Sequence, residues 1–108
     1  MNSYYLIEQY NKKGTLGISK NVFEFVGDNI LKNIESILLI SPDKKKKSKC
    51  QVSITFNKVT FNYTLICNKG VNKETLKSQI EAELTNSLFT LFDGIPFSLN
   101  VKFVILKA

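Results

Sequence analysis

The most reactive side chains in this sequence are those of two cysteines, Cys50 and Cys67, because the chain contains no histidine. Acid–base catalysis would then fall to carboxylates, lysine, tyrosine or cysteine, and no two of the nine acidic residues are placed as a working pair. The five glycines form no GxGxxG or GxxxxGK pattern that would bind phosphate. We therefore predict no catalytic residues, no cofactor and no enzymatic activity. Only the two cysteines among the residues support the alternative of an enzyme or an enzyme accessory.

The two cysteines could be metal ligands, a disulfide or core residues. Structural zinc usually takes four cysteine or histidine ligands, and this chain cannot supply them, so we predict no metal site. With a two-residue turn at Asn57-Lys58, Cys50 lies opposite Leu65 and Cys67 is only a diagonal neighbour of Cys50. A disulfide would need distortion at that separation. We predict two buried, reduced thiols.

The charge of the chain is strongly positive, at +6, and all 15 basic residues are lysines. Four of them form a candidate electrostatic loop: Lys44, Lys45, Lys46 and Lys47. The lysine content is typical of AT-rich codon use in a low-GC bacterium, or it indicates a nucleic-acid or anionic membrane partner. Direct base recognition relies heavily on arginine, which is absent. We favour a solvated, mobile loop and keep a basic nucleic-acid-binding module as the alternative function.

The elements that must position these residues follow from the apolar patterns. Ser19 can cap the first helix, Asn72 can cap the second, and Gly94 lies just past its end. The predicted elements are, in order, a strand (15–19), a helix (20–37), a hairpin (52–66, turn at 57–58), a helix (73–93) and a strand (97–106). This order predicts an α+β fold, a two-layer sandwich of β-α-β-β-α-β order. Its sheet is mostly antiparallel and both helices lie on one face.

Each predicted helix has one apolar stripe that we expect to be buried. The first stripe consists of Val22, Phe23, Val26, Ile30, Ile34 and Ile37, and the second of Leu76, Ile80, Leu84, Leu88, Leu91 and Phe92. Glu24 and Asp28 are expected on the solvent side of the first helix, and Phe89 on the outer side of the second. On the last strand, Val101 and Phe103 are expected in the core.

The outward face of the predicted sheet is a candidate interaction surface. Its members are Thr55, Thr60, Asn62, Thr64, Asn100, Lys102 and Val104, with Phe89 on the second helix as a separate candidate. Charged groups are depleted from interface cores because their desolvation is costly, and this surface is uncharged apart from Lys102. We expect it to stay open unless the segment Tyr4-Tyr5-Leu6-Ile7 folds over it.

The length of 108 residues predicts one domain, with an N-terminal extension (1–13) and a core (14–106). No run approaches the roughly 20 apolar residues of a membrane-spanning helix. The first residues also lack the order of a signal peptide. We expect a cytoplasmic protein, with peripheral attachment to the membrane through a partner as a further location.

Three stretches of the sequence, from Gly14 to Leu106, follow a known pattern: GTLGISKNVFEFVGDNILKNIESI, VSITFNKVTFNYTLICNKGVNKETLKSQIEAELTNSLF and DGIPFSLNVKFVIL. They resemble the alkaline shock protein 23 (Asp/Gls-type) family of envelope stress response proteins. The most specific match is Gly70-Val71-Asn72 at the turn into the second helix. The loop after the first helix is shorter and richer in lysine than in many members.

The resemblance implies a function but no catalytic residues. Members of the family are small cytoplasmic proteins without assigned catalysis, which are linked to envelope stress and can be held at the membrane by an integral partner. Their genes often lie beside that of a kinase acting in fatty-acid metabolism. The expected function is a non-enzymatic protein-interaction or self-assembling module. Its expected partner is itself or an integral membrane anchor protein, and no small-molecule substrate is expected.

Overall fold

The structure is a computed structural model that describes residues 4–8 and 15–106. These residues form six strands and two helices, so the predicted α+β class is confirmed. Their order is β1 (Tyr4–Glu8), β2 (Thr15–Ser19), α1 (Lys20–Leu31), β3 (Ile37–Leu38), β4 (Lys49–Thr55), β5 (Lys58–Cys67), α2 (Lys73–Phe92) and β6 (Phe97–Ile105). The predicted order lacked β1, which lies within the predicted N-terminal extension, and the short β3.

The main sheet is built around β5. Strands β4 and β3 pair with it antiparallel along one side, and β6 pairs with it in parallel along the other. Strand β2 pairs only with β1, in a separate two-stranded antiparallel sheet. The sheet content is therefore mostly antiparallel, as expected. One edge of the main sheet is formed by β3 and β4 and the other by β6.

Helix α1 begins as predicted and ends earlier than predicted. The Ser19 hydroxyl accepts a hydrogen bond from the Val22 amide at 3.4 Å and caps the helix. The helix ends at Leu31 instead of Ile37, because Ile37 pairs with Cys67 in the sheet. Ile34 and Ile37 are buried in either conformation, so the apolar stripe alone could not show where the helix ends.

The hairpin between β4 and β5 turns one residue earlier than predicted. Phe56 and Asn57 have φ of 51° and 56°, the left-handed values of a type I′ turn. Cys50 consequently lies opposite Tyr63, and the predicted pairing with Leu65 is wrong. The register differs by two residues, and because strand side chains alternate with a period of two, the paired residues keep their predicted faces. Alternation would also place Phe56 on the inward face with Val52 and Ile54, but Phe56 lies in the turn and is 89% exposed.

Helix α2 has both of its predicted end signals. The Asn72 side chain accepts a hydrogen bond from the Thr75 amide at 3.0 Å, and Gly94, with φ of 94°, follows the last turn. The buried stripe is confirmed for Leu76, Ile80, Leu84 and Leu88, which are at most 1% exposed. Leu91 was also expected in the core, but it is 57% exposed. Leu91 lies at a helical angle close to that of the buried residues, but it lines an open groove between α2 and α1.

One core joins both helices to the inward face of the sheet. Phe23 of α1 lies at its centre, with ring centroids 6.1 Å from Tyr5, 6.1 Å from Phe61 and 6.0 Å from Phe92. The contact with Tyr5 brings β1 against this core, so residues 4–8 do not cover the outward face of the sheet. Tyr63 donates a hydrogen bond to the Gly27 carbonyl oxygen at 2.8 Å and ties β5 to α1.

The β4 edge of the sheet is closed by two carboxylates of α1. The Cys50 amide donates to Asp28 at 2.9 Å and the Val52 amide donates to Glu24 at 3.0 Å. Asp28 is exposed, as predicted, and Glu24 is half-buried, but both carboxylates also reach the sheet, which was not predicted. An edge strand has unpaired amides that need acceptors, and these carboxylates supply them.

Candidate functional site

The outward face of the main sheet holds seven of the eight candidate interaction residues. Alternation along β4, β5 and β6 turns these side chains away from the core. Thr55, Asn100 and Lys102 are exposed, and the other four are half-buried: Thr60, Asn62, Thr64 and Val104. Phe89 lies apart from them on α2, where 64% of it is exposed.

The strand register arranges the outward face in rows that cross the three strands. One row contains Gln51, Asn62 and Asn100. The Asn100 amide group donates to the Asn62 side-chain oxygen at 3.1 Å, and the Asn62 amide group donates to the Ser53 hydroxyl at 3.4 Å. The centre of the face is therefore a connected set of uncharged polar groups, which hold each other in fixed orientations.

Three lysines surround that uncharged centre. The next row is Lys49, Thr64 and Lys102, and Lys58 lies opposite Thr55 at the hairpin end. The sequence analysis named only Lys102 as a charge on this face. Lys49 and Lys58 could have been found by extending the alternation toward each strand's start, by three residues in β4 and by one in β5. The described part of this face carries lysines but no carboxylate, which suits a neutral or acidic binding surface.

A second surface feature is a groove of about 550 Å³ between α1 and α2, which was not predicted from the sequence. Its lining is uncharged and consists of Val22, Phe25, Val26, Asn29, Ile30, Asn33, Ser87, Leu91 and Phe92. Phe25 is 69% exposed, and Val22, expected in the buried stripe, is 41% exposed. The sequence pattern assigned Val22 and Leu91 to the core because their helical angles are suitable, but the two helices do not close over them.

The two cysteines are buried and free of any disulfide, in agreement with the prediction. Burial raises the pKa of Cys50 to about 12, and the nearby Asp28 and Glu24 carboxylates act in the same direction. Burial also raises the pKa of Cys67 and that of the Tyr63 phenol beside Cys50. Because the thiolate is the reactive form, the raised pKa disfavours a nucleophilic role for either cysteine at neutral pH.

The lysine loop is exposed, and its backbone is hydrogen-bonded. All four of its lysine side chains, Lys44 to Lys47, face solvent. The Lys46 amide donates to the Ser41 hydroxyl, and the Ser41 amide donates to the Lys46 carbonyl oxygen at 2.8 Å. Asp43 accepts from the Ser41 hydroxyl, which lowers the pKa of its carboxyl. The mobility of this loop stays a prediction, and hydrogen bonds of Ser41 and Asp43 close the loop in the structure.

Other kinds of site find little support in residues 4–8 and 15–106. No group of three or more histidine, cysteine, aspartate or glutamate side chains there could hold a metal ion. No helix in these ranges has the length and apolar content needed to cross a bilayer. Comparison of the chain with protein-family models, curated proteins and solved structures finds no significant match.

Proposed function

We propose that this chain is a non-enzymatic module that binds a protein partner or a second copy of itself through the outward face of its sheet. The observation that carries the proposal is that no described helix or strand lies over the centre of this face, at Asn62 and Asn100, and that this centre is uncharged. The loop from Ser41 to Lys46 borders only the Val104 end of the face. A partner that covers Asn62 and Thr64 has no charge to desolvate at the centre of the interface.

The surrounding lysines define the chemistry of such a partner. Lys49, Lys58 and Lys102 favour a surface with carboxylates at its rim and neutral groups at its centre, since opposite charges across an interface accelerate association. We propose that the protein works in the cytoplasm, and that an integral membrane protein with such a surface holds it at the membrane.

The proposed architecture is a two-layer sandwich with both helices on the inward face of the sheet. Side chains from both helices share one core with that face, which supports the proposal. We further propose that the chain is a member of the alkaline shock protein 23 family. The Gly70-Val71-Asn72 turn supports this, because Gly70 has φ of 94° and Asn72 caps α2.

Substitution on two different surfaces tests the docking face. Changing both Thr64 and Val104 to lysine adds two cations to the outward face, and we expect self-association or partner capture to be lost while the fold is retained. Phe89→Asp is the matched control, because Phe89 is exposed on α2 and away from the sheet face. Binding that survives the lysine pair and fails in the Phe89→Asp variant would place the docking surface on α2.

Nucleic-acid binding is the second candidate function, and the exposed Lys44 to Lys47 run is the observation that favours it. Binding to phosphates strengthens steeply as salt is lowered. Titration with single-stranded RNA at about 50 mM salt therefore gives this candidate its best condition. Absence of binding there would eliminate it.

A further inference from the structure

The edge of β6 that faces away from β5 has no partner among the described residues. One hydrogen bond shows which backbone groups of β6 point toward β5: the Leu106 amide donates to the Cys67 carbonyl oxygen at 2.9 Å. Backbone groups alternate sides along a strand, so the even-numbered residues of β6 point toward β5. The backbone amides and carbonyls of Phe97, Leu99, Val101, Phe103 and Ile105 then point outward from the sheet, in plane with it.

The side chains of the same five residues are incompletely covered. On β4 and β5 the inward side chains are buried, as at Val52 and Phe61, which are 4% and 0% exposed. On β6 all five inward side chains are only partly buried along the whole strand, including Val101 and Phe103, for which the expectation of full burial is wrong. The unpaired backbone edge and the half-covered apolar side chains therefore coincide.

The β6 edge also lacks the features that usually prevent edge pairing. Natural edge strands are commonly short, bulged, charged or covered, and the β4 edge is covered by Asp28 and Glu24. Strand β6 pairs with β5 through nine consecutive residues without a bulge. Its only charged residue is Lys102, and Pro96 lies just before the strand.

We propose that β6 pairs antiparallel with β6 of a second copy of this chain, around a two-fold axis at Val101. The proposal rests on the self-assembly part of the proposed function, and it assigns self-assembly to the β6 edge in place of the outward face. The two sheets would join into one, with the helices of both copies on the same side. The outward face of each copy would remain available for a different partner.

The register follows from the strand itself. Only pairings between residues of the same parity keep the apolar side chains of both copies on the inward face. An axis at Val101 pairs all nine residues, with Phe103 against the partner's Leu99. It also sets Lys102 opposite the partner's Asn100, whereas an axis at Lys102 would oppose two lysines, which is unfavourable. The second copy is the occupant because the strand is complementary to itself in this register.

Disulfide trapping between two single variants tests the register. Residues 100 and 102 of opposite copies form a non-hydrogen-bonded pair, with Cα atoms about 4.5 Å apart, which suits a disulfide. Asn100→Cys and Lys102→Cys chains are mixed and oxidised, and the products are separated on a non-reducing gel and identified by mass. The wild-type chain is the blank, because both of its own thiols are buried.

The expected result is a disulfide between the two different variants and little between like chains. Disulfides only between like chains, or none above the blank, would overturn the proposal. Val101→Pro supplies a second test. The Val101 amide points outward and makes no bond to β5, so an edge strand tolerates proline there. We expect dimerisation at least tenfold weaker with the monomer still folded; unchanged dimerisation of a folded variant would also overturn the proposal.

The two proposals fail separately. Thr64→Lys changes the outward face on the central strand and leaves the β6 edge intact, so the cross-variant disulfide should still form in its presence. If partner capture is lost in Thr64→Lys but no disulfide forms in the mixture, the outward face binds and the β6 inference is wrong. If the disulfide forms and Thr64→Lys changes no binding, the docking face proposed above is wrong.

Discussion

Gly27 is a residue of α1 that packs closely on the sheet. A Cβ atom there would lie 2.5 Å from the Cys50 sulfur and 3.1 Å from the Tyr63 hydroxyl oxygen. Alanine normally favours a helix over glycine by about 1 kcal/mol, so the expected sign is reversed by crowding. The sequence gives no indication of this contact, because it depends on the hairpin register that places Cys50 opposite Tyr63.

We predict that Gly27→Ala destabilises the protein by about 1–3 kcal/mol, the usual cost of overpacking. Removing the sulfur in Cys50→Ala should relieve the clash, so the double variant should be more stable than the sum of the two single effects. The free energy of unfolding from urea titration of all four chains gives this coupling. Additive effects would show that Gly27 does not pack on Cys50.

The raised pKa of Cys50 predicts a dependence of stability on alkaline pH. The native thiol keeps its proton up to a pKa of about 12, whereas the unfolded thiol loses it near the ordinary value of 9.0. Above pH 9 the unfolded state therefore binds fewer protons, and the free energy of unfolding falls as the pH rises. Cys50→Ala should show a shallower fall between pH 9 and 11 in urea titrations. Equal slopes would contradict burial of the thiol.

At the scale of elements, helix α2 is held to the sheet by a stripe at four-residue spacing. Ile80 is 0% exposed at its centre, so we predict that Ile80→Ala costs about 2–5 kcal/mol. Phe89→Ala on the exposed side of the same helix is the control and should change stability by at most about 0.5 kcal/mol. A loss below about 1 kcal/mol for Ile80→Ala would mean that the helix presents another side to the sheet.

The elements also show what the sequence could and could not predict. The two helix caps and the faces of the paired hairpin residues depend on local residue types and on the period of two, and both were predicted correctly. The end of α1, the turn at Phe56-Asn57 and the open groove at Val22 and Leu91 depend on tertiary packing. In each case the same apolar residues satisfy two arrangements, and only the positions of neighbouring elements distinguish them.

The candidate site was predicted to a similar extent. Alternation along three strands assigned seven residues, the first Thr55 and the last Val104, to one outward face. The strand pairing was needed to bring Asn62 beside Asn100 and Lys49 beside Thr64. The unpaired edge of β6 could not be predicted either. It depends on β6 pairing only with β5, and the sequence left the position of the Thr15 to Ser19 strand open.

At the scale of the whole molecule, the densest run of positive charge, Lys44 to Lys47, lies in one loop. Lys44 to Lys47 are exposed, and the loop is closed by Ser41, Asp43 and backbone groups. We predict that replacing all four lysines with serine leaves the melting temperature nearly unchanged, because exposed charges contribute little to stability. A large decrease, measured by circular dichroism, would mean that these side chains are packed or paired.

For the whole molecule, we propose that the open surfaces of the sheet serve association, with β6 joining two copies. Sedimentation equilibrium of the wild-type chain and of Val101→Pro, run side by side at increasing concentration, tests this most directly. The wild-type mass should rise from 12.3 kDa toward twice that value, while Val101→Pro should remain at 12.3 kDa. A wild-type mass that stays at 12.3 kDa up to about 1 mM, the range of very weak complexes, would contradict the account.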